Sequence, residues 1–225
     1  MALAELSRAS DIGMDSISRG RLDDGQRLLL QAIAARRGAL PLYRIGHSVA
    51  RRGRRPGLSL DDIEQAMYGL ESGTIVDRSI RPIIIILDYL QLIRASEQER
   101  GLTDRMRFVN YVNRCKDLAL GTGSVVLLGC QAKREVDDRQ VKIPRMSDGA
   151  ETATIEHAAD VIFTVSMPKT YMEEGDEFNT PESIAHYVSD EMMILSLAKR
   201  KKGKAGKYWL IETEPSKNKL VRVVK

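Results

Sequence analysis

The sequence predicts an α/β fold with a central, mainly parallel sheet and a C-terminal antiparallel β-hairpin. Two short aliphatic runs, at 82–88 and 125–129, predict strands that are buried on both faces, as in parallel sheets. A long helical pattern separates these two runs. Near the C-terminus, apolar segments at 193–198, 207–212 and 220–224 are joined by polar connections, a pattern typical of a hairpin or meander.

Composition indicates a single soluble domain. The 225 residues suffice for one α/β core, and 43% hydrophobic with 29% charged residues is typical of globular proteins. No apolar run approaches the roughly 20 residues that span a bilayer, and the N-terminus lacks a secretory pattern. Cys115 and Cys130 show no metal-ligand spacing, so we expect free thiols in a cytoplasmic protein. The net charge of +4 is small, so the distribution of charge matters more than its total.

The first third of the chain predicts helices and a basic loop. Helices are expected over 2–36, with breaks near Gly13 and Gly20. A short strand is expected at 42–45. The segment RRGRRPG at 51–57 then predicts a loop with four arginines, for which a solvated loop is favoured over a DNA site.

Two longer helices are predicted from the residues at their ends. Ser59 and Asp62 form an S-x-x-D capping box at the start of one helix. The other helix covers 103–120 and ends at Gly121 and Gly123. This second helix lies between the two predicted parallel strands.

The chain beyond the second strand predicts shorter elements. Asp148 and Glu151 are placed to cap a short helix that continues through residue 158, and a strand follows at 161–165. Residues 168–190 are acidic without apolar periodicity, so we expect an irregular, mobile excursion there.

Asp88 is the first candidate for chemistry. It follows directly on the aliphatic run at 83–87. A carboxylate at the C-terminal end of a buried strand lies where open α/β sheets bind ligands. In nucleotide-hydrolysing motors such a carboxylate holds Mg²⁺ through its water shell. Asp88 is therefore the candidate ligand of Mg²⁺ and of a nucleotide.

The segment DYLQL at 88–92 makes this pattern more specific. It resembles the Walker B segment of the DnaB-type replicative DNA helicases, a family of ATPases with a RecA-like P-loop NTPase core. The resemblance covers nearly the whole chain and corresponds to the C-terminal ATPase domain of that family, after the phosphate-binding loop. It implies a RecA-like core that lacks its first strands, with ATP and Mg²⁺ as cofactors.

Gln131 follows the second aliphatic strand, as a glutamine does in the helicase family. The resemblance implies that this residue senses the γ-phosphate. An amide can donate to a phosphate oxygen and accept from the attacking water, so it can report hydrolysis. The alternative is a polar residue at a strand end that makes a local turn bond.

The segment from Pro144 to Asp160, P-x-x-S-D-x-x-E-x-x-x-I-E-x-x-A-D, resembles the family's second DNA-binding loop and the helix behind it. It departs from the family at Ala150, where arginine is usual, and at Ala153, where glycine is usual. Neighbouring cations can replace a phosphate contact. The residues expected at DNA are Lys133, Arg134, Arg139, Lys142, Arg145 and Glu151. A solvated loop remains the alternative.

The segment LAKRKKGKAGK resembles a K-x-R segment of the family that reaches across a subunit interface. Lys199 aligns with the family's lysine, and Lys201 takes the arginine position. Cations two apart on a strand project from the same face, so both can enter one site. The resemblance implies that both act on the γ-phosphate of the neighbouring subunit. The alternative is a basic hairpin tip that binds nucleic acid non-specifically or binds nothing.

No GxxxxGK[ST] segment occurs in the sequence, although a complete P-loop motor requires one. In the family's sheet, the strand before that loop lies between the strands corresponding to 125–129 and 161–165. We therefore expect each of these strands to have an unpaired apolar edge. We also expect a truncated gene product, or a chain whose missing strands come from another polypeptide.

The resemblance implies an ATP-dependent replicative DNA helicase subunit that couples hydrolysis in a hexameric ring to single-stranded DNA translocation and duplex unwinding. The expected catalytic set is Asp88, Gln131, Lys199 and Lys201. Expected partners are single-stranded DNA, other subunits or a complete helicase subunit, and a primase or loader, with no membrane. One domain is expected over 1–225, with a helical part to residue 80 and the site-bearing part from 81.

Two other functions remain open at the level of sequence. One is a non-catalytic RecA-fold adaptor or inhibitor that docks on a complete helicase subunit. The other is a RecA-like ATPase of the recombination or clock type, which would lack ATP-dependent unwinding of a forked duplex.

Overall fold

The computed structural model describes residues 2–45, 57–75, 79–131, 152–179 and 185–224. Its helices are α1 (Ala2–Ser10), α2 (Met14–Ser18), α3 (Asp24–Gly38), α4 (Leu60–Glu71), α5 (Asp104–Thr122) and α6 (Thr152–Ala158). Its strands are β1 (Ile84–Leu87), β2 (Val125–Leu128), β3 (Val161–Ser166), β4 (Glu177–Asn179), β5 (Ala185–Tyr187), β6 (Met192–Arg200), β7 (Tyr208–Glu214) and β8 (Lys219–Val223).

The chain forms two compact units. The first contains α1 to α3 and, from Phe163 onward, β3 to β8. The second contains α4 to α6 together with β1 and β2. No described helix combines the length and the apolar character that crossing a bilayer demands. The assignment of residues 1–225 to one domain with an internal division at residue 80 stays a prediction.

The N-terminal helices break where the sequence indicates. Gly20 has a φ of +67°, which glycine adopts without strain, and it separates α2 from α3. Asp23 caps α3, because its Oδ1 accepts from the Gln26 N–H at 2.7 Å while the Gln26 side chain accepts from the Asp23 N–H at 3.1 Å. An ion pair between Arg37 Nη2 and Glu5 Oε2 at 3.0 Å links α3 to α1.

The predicted strand at 42–45 is wrong. Residues 41–45 adopt no regular secondary structure, and Leu42, Tyr43 and Ile45 are exposed. A strand is stable only when a neighbour completes its hydrogen-bond ladder, and no described strand pairs with this segment. Most of the basic loop at 51–57 lies outside the described residues.

The core of the second unit lies between two helices and one face of a parallel strand pair. β1 pairs with β2 in parallel, from Ile84 opposite Val125 to Leu87 opposite Leu128. Ser59 caps α4 through the predicted capping box with Asp62. The buried residues of this core are Leu60, Ile63, Met67, Leu70, Ile85, Leu87, Leu90, Tyr111, Val112 and Cys115.

Burial of β1 and β2 on both faces, which the sequence predicts, is wrong for this chain. Ile85 and Leu87 are buried, but Ile84 and Ile86 are 54% and 67% exposed. The helical core packs against only one side of the pair, so alternate side chains face away from it. An uninterrupted aliphatic run shows that both faces are apolar, but not that both faces are covered.

Arg114 on α5 holds this helix against α4. Its Nη2 lies 2.6 Å from Asp61 Oδ1 and 2.8 Å from Glu64 Oε2, and its Nη1 lies 3.5 Å from the buried Glu99 Oε1. Hydrogen bonds to Glu64 are the main reason that the pKa of Arg114 lies above its ordinary value. Asn110 Nδ2 donates to the same Glu99 oxygen at 2.6 Å, so the buried carboxylate has partners from two side chains. This network fixes the helices that support β1 and β2.

The first unit contains the predicted C-terminal antiparallel strands. β6, β7 and β8 follow one another in a four-stranded sheet of order β3-β6-β7-β8. β6 pairs antiparallel with β7, from Met192 opposite Glu212 to Ser196 opposite Tyr208. β7 pairs antiparallel with β8. The hairpin prediction is therefore confirmed.

The expected irregular excursion at 168–190 contains a small antiparallel hairpin of β4 and β5 instead. Phe178 and Val188 are buried in a cluster with Ile194 and residues of β7. Two apolar side chains are enough to dock this segment, although they are too few to produce a visible strand pattern in the sequence.

β2 and β3 are both at a sheet edge among the described strands. β2 pairs with β1 alone, and β3 pairs with β6 alone. Side chains on both strands are exposed, including Val125 at 55% and Phe163 at 53%. The expectation that each strand lacks a second neighbour is confirmed for the strands described.

The N-terminal helices are tied to the β7–β8 connection through Asp11. Its carboxylate lies 2.8 Å from Lys219 Nζ and 3.2 Å from Lys217 Nζ, and Arg8 Nε donates to the Asn218 carbonyl oxygen at 3.1 Å. Hydrogen bonds from Lys219 and Lys217 lower the pKa of Asp11 below its ordinary 3.8. A carboxyl group with a lowered pKa stabilises the fold above its unfolded pKa and loses that contribution as the pH falls.

We therefore expect Asp11→Asn to lower the thermal unfolding temperature at neutral pH. The difference from the original chain should shrink as the pH falls below 3.8 and vanish once Asp11 is protonated in the folded state. Melting curves of both proteins across that range test this. Asp117→Asn on α5 is the control with the same change of charge. A difference that persists undiminished in acid would contradict the role of Asp11.

Candidate nucleotide site

The carboxyl ends of β1 and β2 form the candidate site. Because the strands are parallel and Leu87 lies opposite Leu128, the residues that follow them emerge at the same edge. An open pocket of about 380 Å³ lies there, lined by Asp88, Tyr89, Gly129, Cys130 and Gln131. The structure thus brings together Asp88 and Gln131, two of the residues predicted from the sequence.

Backbone hydrogen bonds join the C-terminal ends of β1 and β2. The Gly129 N–H donates to the Leu87 carbonyl oxygen at 2.9 Å, and the Leu90 N–H donates to the Gly129 carbonyl oxygen at 2.8 Å. A Cβ at position 129 would lie 3.3 Å from Tyr89 Cβ. Glycine therefore permits this close approach. The Asp88–Tyr89 peptide bond is cis.

Asp88 and Gln131 are both exposed at the pocket. The carboxylate can accept hydrogen bonds from metal-bound water, and the amide can both donate and accept. Two polar groups of this kind at the edge of a parallel sheet suit a ligand that carries a cation and oxygen acceptors.

The described residues indicate how a cation would be held. They contain no group of three or more His, Cys, Asp or Glu side chains arranged for a metal ion. Mg²⁺ usually keeps several waters and binds one or two carboxylates together with substrate phosphates. A single exposed carboxylate in an open pocket therefore fits a Mg²⁺–nucleotide complex better than a metal site built from protein ligands alone.

The two cysteines have contrasting surroundings. Both are thiols outside any disulfide, as the sequence predicts. Cys115 lies in the core, where burial raises the pKa of its thiol to about 11. Cys130 is exposed and lines the pocket. A thiol reagent will therefore reach Cys130 long before Cys115, which makes Cys130 a reporter of the site.

Gln91 contributes to the site, although sequence reasoning did not single it out. It lies three residues after Asp88, and its Oε1 accepts from the Gln131 N–H at 3.3 Å. Its Nε2 donates to Cys130 Sγ at 3.5 Å. The signal was present, since Gln91 is part of the DYLQL segment. Its partners become visible only when the two strands are paired.

The structure places Lys199 and Lys201 at the end of β6, in the first unit, whereas Asp88 and Gln131 belong to the second. Lys199 is half-buried within β6, and Lys201 is exposed one residue beyond Arg200, the last residue of the strand. The expectation that both lysines project from the same strand face stays a prediction, because Lys201 lies one residue beyond the end of β6.

The residues expected at DNA lie outside the described residues. They are Lys133, Arg134, Arg139, Lys142, Arg145 and Glu151. The helix that follows them, α6, is present and packs through Ile155 and Ala158 against the core of the second unit. Lys116 on α5 pairs with Asp160 just beyond α6.

Comparison with known proteins identifies similar sequences. Residues 5–216 match the DnaB-like helicase C terminal domain. The replicative DNA helicase DnaB of Geobacillus stearothermophilus is 34% identical over 102 residues, which are 45% of this chain and 22% of that protein. That of Mycoplasma genitalium is 27% identical over 107 residues, 48% of this chain and 23% of that protein. The chain thus matches about a quarter of the length of these relatives.

Two solved structures share the fold. A DnaB-like replicative helicase studied with its primase interactions superposes with a TM-score of 0.78 over 98% of this chain and 46% of its own, at 18% identity. A second structure, of an isolated ATPase domain, superposes with a TM-score of 0.75 over 98% of this chain and 69% of its own, also at 18% identity. The predicted RecA-like α/β fold class is confirmed.

The close approach at Gly129 leads to a test of the site geometry. We expect Gly129→Ala to destabilise the chain by about 1 kcal/mol, because the new methyl group crowds Tyr89. Gly121→Ala is the matched control, since a Cβ there meets nothing within 4 Å and alanine favours helix. It should stabilise by about 0.5 kcal/mol. Urea denaturation measures both, and a shift of the same sign in the two variants would contradict the close approach.

Proposed function

This chain belongs to the DnaB-like helicase C-terminal domain family, and from that membership we propose that it acts as the ATPase part of a replicative DNA helicase subunit. In this proposal, ATP hydrolysis in a hexameric ring drives movement along single-stranded DNA and unwinds the duplex. The observation that supports it most directly is the meeting of Asp88 and Gln131 in one open pocket. The curated relatives are replicative DNA helicases, which supports the same assignment.

Asp88 and Gln131 take complementary roles at the nucleotide. Asp88 would hold Mg²⁺ through its water shell, and the Gln131 amide would contact the γ-phosphate and the attacking water. When bound, Mg²⁺ neutralises phosphate charge and orients the phosphate oxygens. The sequence contains no GxxxxGK[ST] segment, so its 225 residues supply only part of the phosphate contacts. The affinity of the chain for ATP should consequently be low.

Lys199 and Lys201 are proposed to act on the γ-phosphate of a neighbouring subunit. Lysine lacks the fork of an arginine side chain, but a point charge still stabilises charge that develops on a transferring phosphoryl group. Lys201 is exposed one residue beyond the end of β6, which is compatible with contact to a neighbouring subunit.

The basic segment before α6 is proposed to contact single-stranded DNA. Its cations are Lys133, Arg134, Arg139, Lys142 and Arg145, and Glu151 directly precedes the helix that follows. Phosphate contacts require cations within reach but no base recognition. The further partners we propose are the other subunits of the ring and a primase or loader, in the cytoplasm.

Mg²⁺-dependent nucleotide binding tests the central part of the proposal. We expect ATP with Mg²⁺ to bind with a dissociation constant of about 1 mM, which corresponds to about −4 kcal/mol. Asp88→Asn should remove the dependence on Mg²⁺, because an amide binds the metal's water shell more weakly than a carboxylate. Titration calorimetry measures both proteins, and Asp117→Asn on α5 is the control. Micromolar affinity would contradict the expected weak binding, and unaltered Mg²⁺ dependence in Asp88→Asn would contradict the proposed role of Asp88.

The trans role of Lys201 has its own test. In assemblies of this chain that hydrolyse ATP, Lys201→Ala should lower turnover about 100-fold with little change in nucleotide affinity, since the charge acts in the transition state. Lys204→Ala removes an exposed charge from the same connection and serves as the control. Steady-state hydrolysis with measured nucleotide affinity decides the question, and unchanged turnover in Lys201→Ala excludes the role.

DNA binding should show the salt dependence of phosphate contacts. The logarithm of the affinity for single-stranded oligonucleotides should fall linearly with that of the salt concentration. Removing Lys133 and Arg134 together should reduce the slope by about 1.4, which corresponds to two lost contacts. A control double variant, Arg19→Ala with Arg27→Ala, carries the same change of charge on α3 and on the connection before it. Equal slopes in both double variants would remove the proposed DNA segment.

A further inference from the structure

We propose that Gln91 is a positioning residue of the nucleotide site. Its side-chain amide holds the backbone of Gln131 and the thiol of Cys130 in fixed relation to Asp88. The inference rests on the proposed function, because it assigns how the sensing glutamine of that same site is held. It adds Gln91, whose contacts with Gln131 and Cys130 form only when β1 and β2 are paired.

Gln91 lies in a short 3₁₀ turn that directly follows Asp88 and Tyr89. Its Oε1 accepts from the Gln131 backbone N–H at 3.3 Å, and its Nε2 donates to Cys130 Sγ at 3.5 Å. Only the oxygen of the amide can accept from an N–H, so the Gln131 backbone sets the orientation of the group. The oxygen and the nitrogen of one side-chain amide thereby contact two consecutive residues, Gln131 and Cys130.

The backbone turn that carries Gln91 is held by burial of its neighbour and by hydrogen bonds. The neighbouring Leu90 is fully buried, and its N–H donates to the Gly129 carbonyl oxygen at 2.8 Å. The Ile93 N–H closes the turn on the Leu90 carbonyl oxygen at 3.1 Å. A half-buried Gln91 side chain that starts from this rigid turn loses little further freedom when it bridges to Gln131.

Gln131 needs such a contact because it lies beyond the strand ladder. The last paired residue of β2 is Leu128, and Gly129 makes the last backbone bonds to the β1 side. Gln131 is exposed, so an untethered backbone would let its amide move relative to Asp88. A displacement of about 1 Å can reduce catalysis about 100-fold. Gln91 thus sets the distance between the sensing amide and the carboxylate.

The first experiment uses the full chain without nucleotide and measures amide hydrogen exchange at Gln131. Gln91→Met keeps the length of the side chain but removes the acceptor, so the Gln131 N–H should exchange about fivefold faster. Gln91→Glu keeps an acceptor oxygen and should restore exchange to near the original rate. Gln65→Met, at an exposed position on α4, is the control and should leave Gln131 unchanged.

The outcomes of the first experiment are decisive for the contact. Unchanged exchange at Gln131 in Gln91→Met, or equally fast exchange in Gln91→Met and Gln91→Glu, would overturn the proposal. Thermal melting of the same variants separates a local loss from global unfolding. The expected result is faster exchange at Gln131 with an unfolding temperature close to that of Gln65→Met.

The second experiment asks whether the contact serves the nucleotide. The rate of Cys130 labelling by a thiol reagent is measured with and without millimolar ATP and Mg²⁺. Cys115 should not react, because it is buried and its pKa is raised. For each protein, the rate with ATP is divided by the rate without ATP, so a direct effect of the substitution on thiol reactivity cancels. ATP should slow Cys130 labelling in the original chain. The factor by which ATP slows labelling should be at least twofold smaller in Gln91→Met.

The two experiments separate the inference from the proposed function. If ATP leaves Cys130 labelling unchanged in the original chain, the nucleotide site fails, whereas the exchange result at Gln131 still decides the contact. If ATP protects Cys130 equally in the original chain and in Gln91→Met, Gln91 does not position the site for nucleotide. That outcome overturns the inference and leaves the proposed function standing.

Discussion

The parallel pairing of β1 with β2 is the constraint on which the rest of the site depends. Strands that run the same way and end in register deliver Asp88 and Gln131 to one edge, although 43 residues of chain position separate them. Gly129 lets the two ends approach within hydrogen-bonding distance. The helices α4 and α5 hold the pair from behind through their apolar core and through Arg114. The position of the candidate site is therefore a consequence of packing on one face of the strand pair.

The same arrangement explains which parts of the molecule could be predicted. Asp88 and Gln131 could be predicted as pocket residues because Asp88 directly follows one apolar strand and Gln131 lies within three residues of the end of the next, which are local signals. Burial of Ile84 and Ile86 was wrong because burial depends on what packs against a strand, and the sequence of the strand does not contain that information. The β4–β5 hairpin was missed because a few docking side chains decide it. Gln91 shows the same limit, since its partners lie about 40 residues away.

One exposed apolar face changes how the second unit must be stabilised. Ile84, Ile86, Val125 and Leu127 contribute little transfer free energy while about half or more of each remains exposed. The opposite face, α4 and α5 must therefore provide most of the stability, and the Arg114 network orients these helices. The buried Glu99 makes the network important, because a buried carboxylate without its partners would destabilise the unit. Polar contacts between the helices thus support strands whose own burial is incomplete.

The charge of the pocket limits how it can act on a nucleotide. Its described lining residues are Asp88, Tyr89, Gly129, Cys130 and Gln131, which include one carboxylate and no lysine or arginine. A pocket of this kind repels a triphosphate unless a cation intervenes, so the proposed reaction requires Mg²⁺ at Asp88. One Mg²⁺ leaves much of the phosphate charge without a partner, so further cations must come from residues other than these five. Lys199 at the end of β6 and Lys201 in the basic connection after it carry such charges, which is the physical reason to propose that they act at a neighbouring subunit's site.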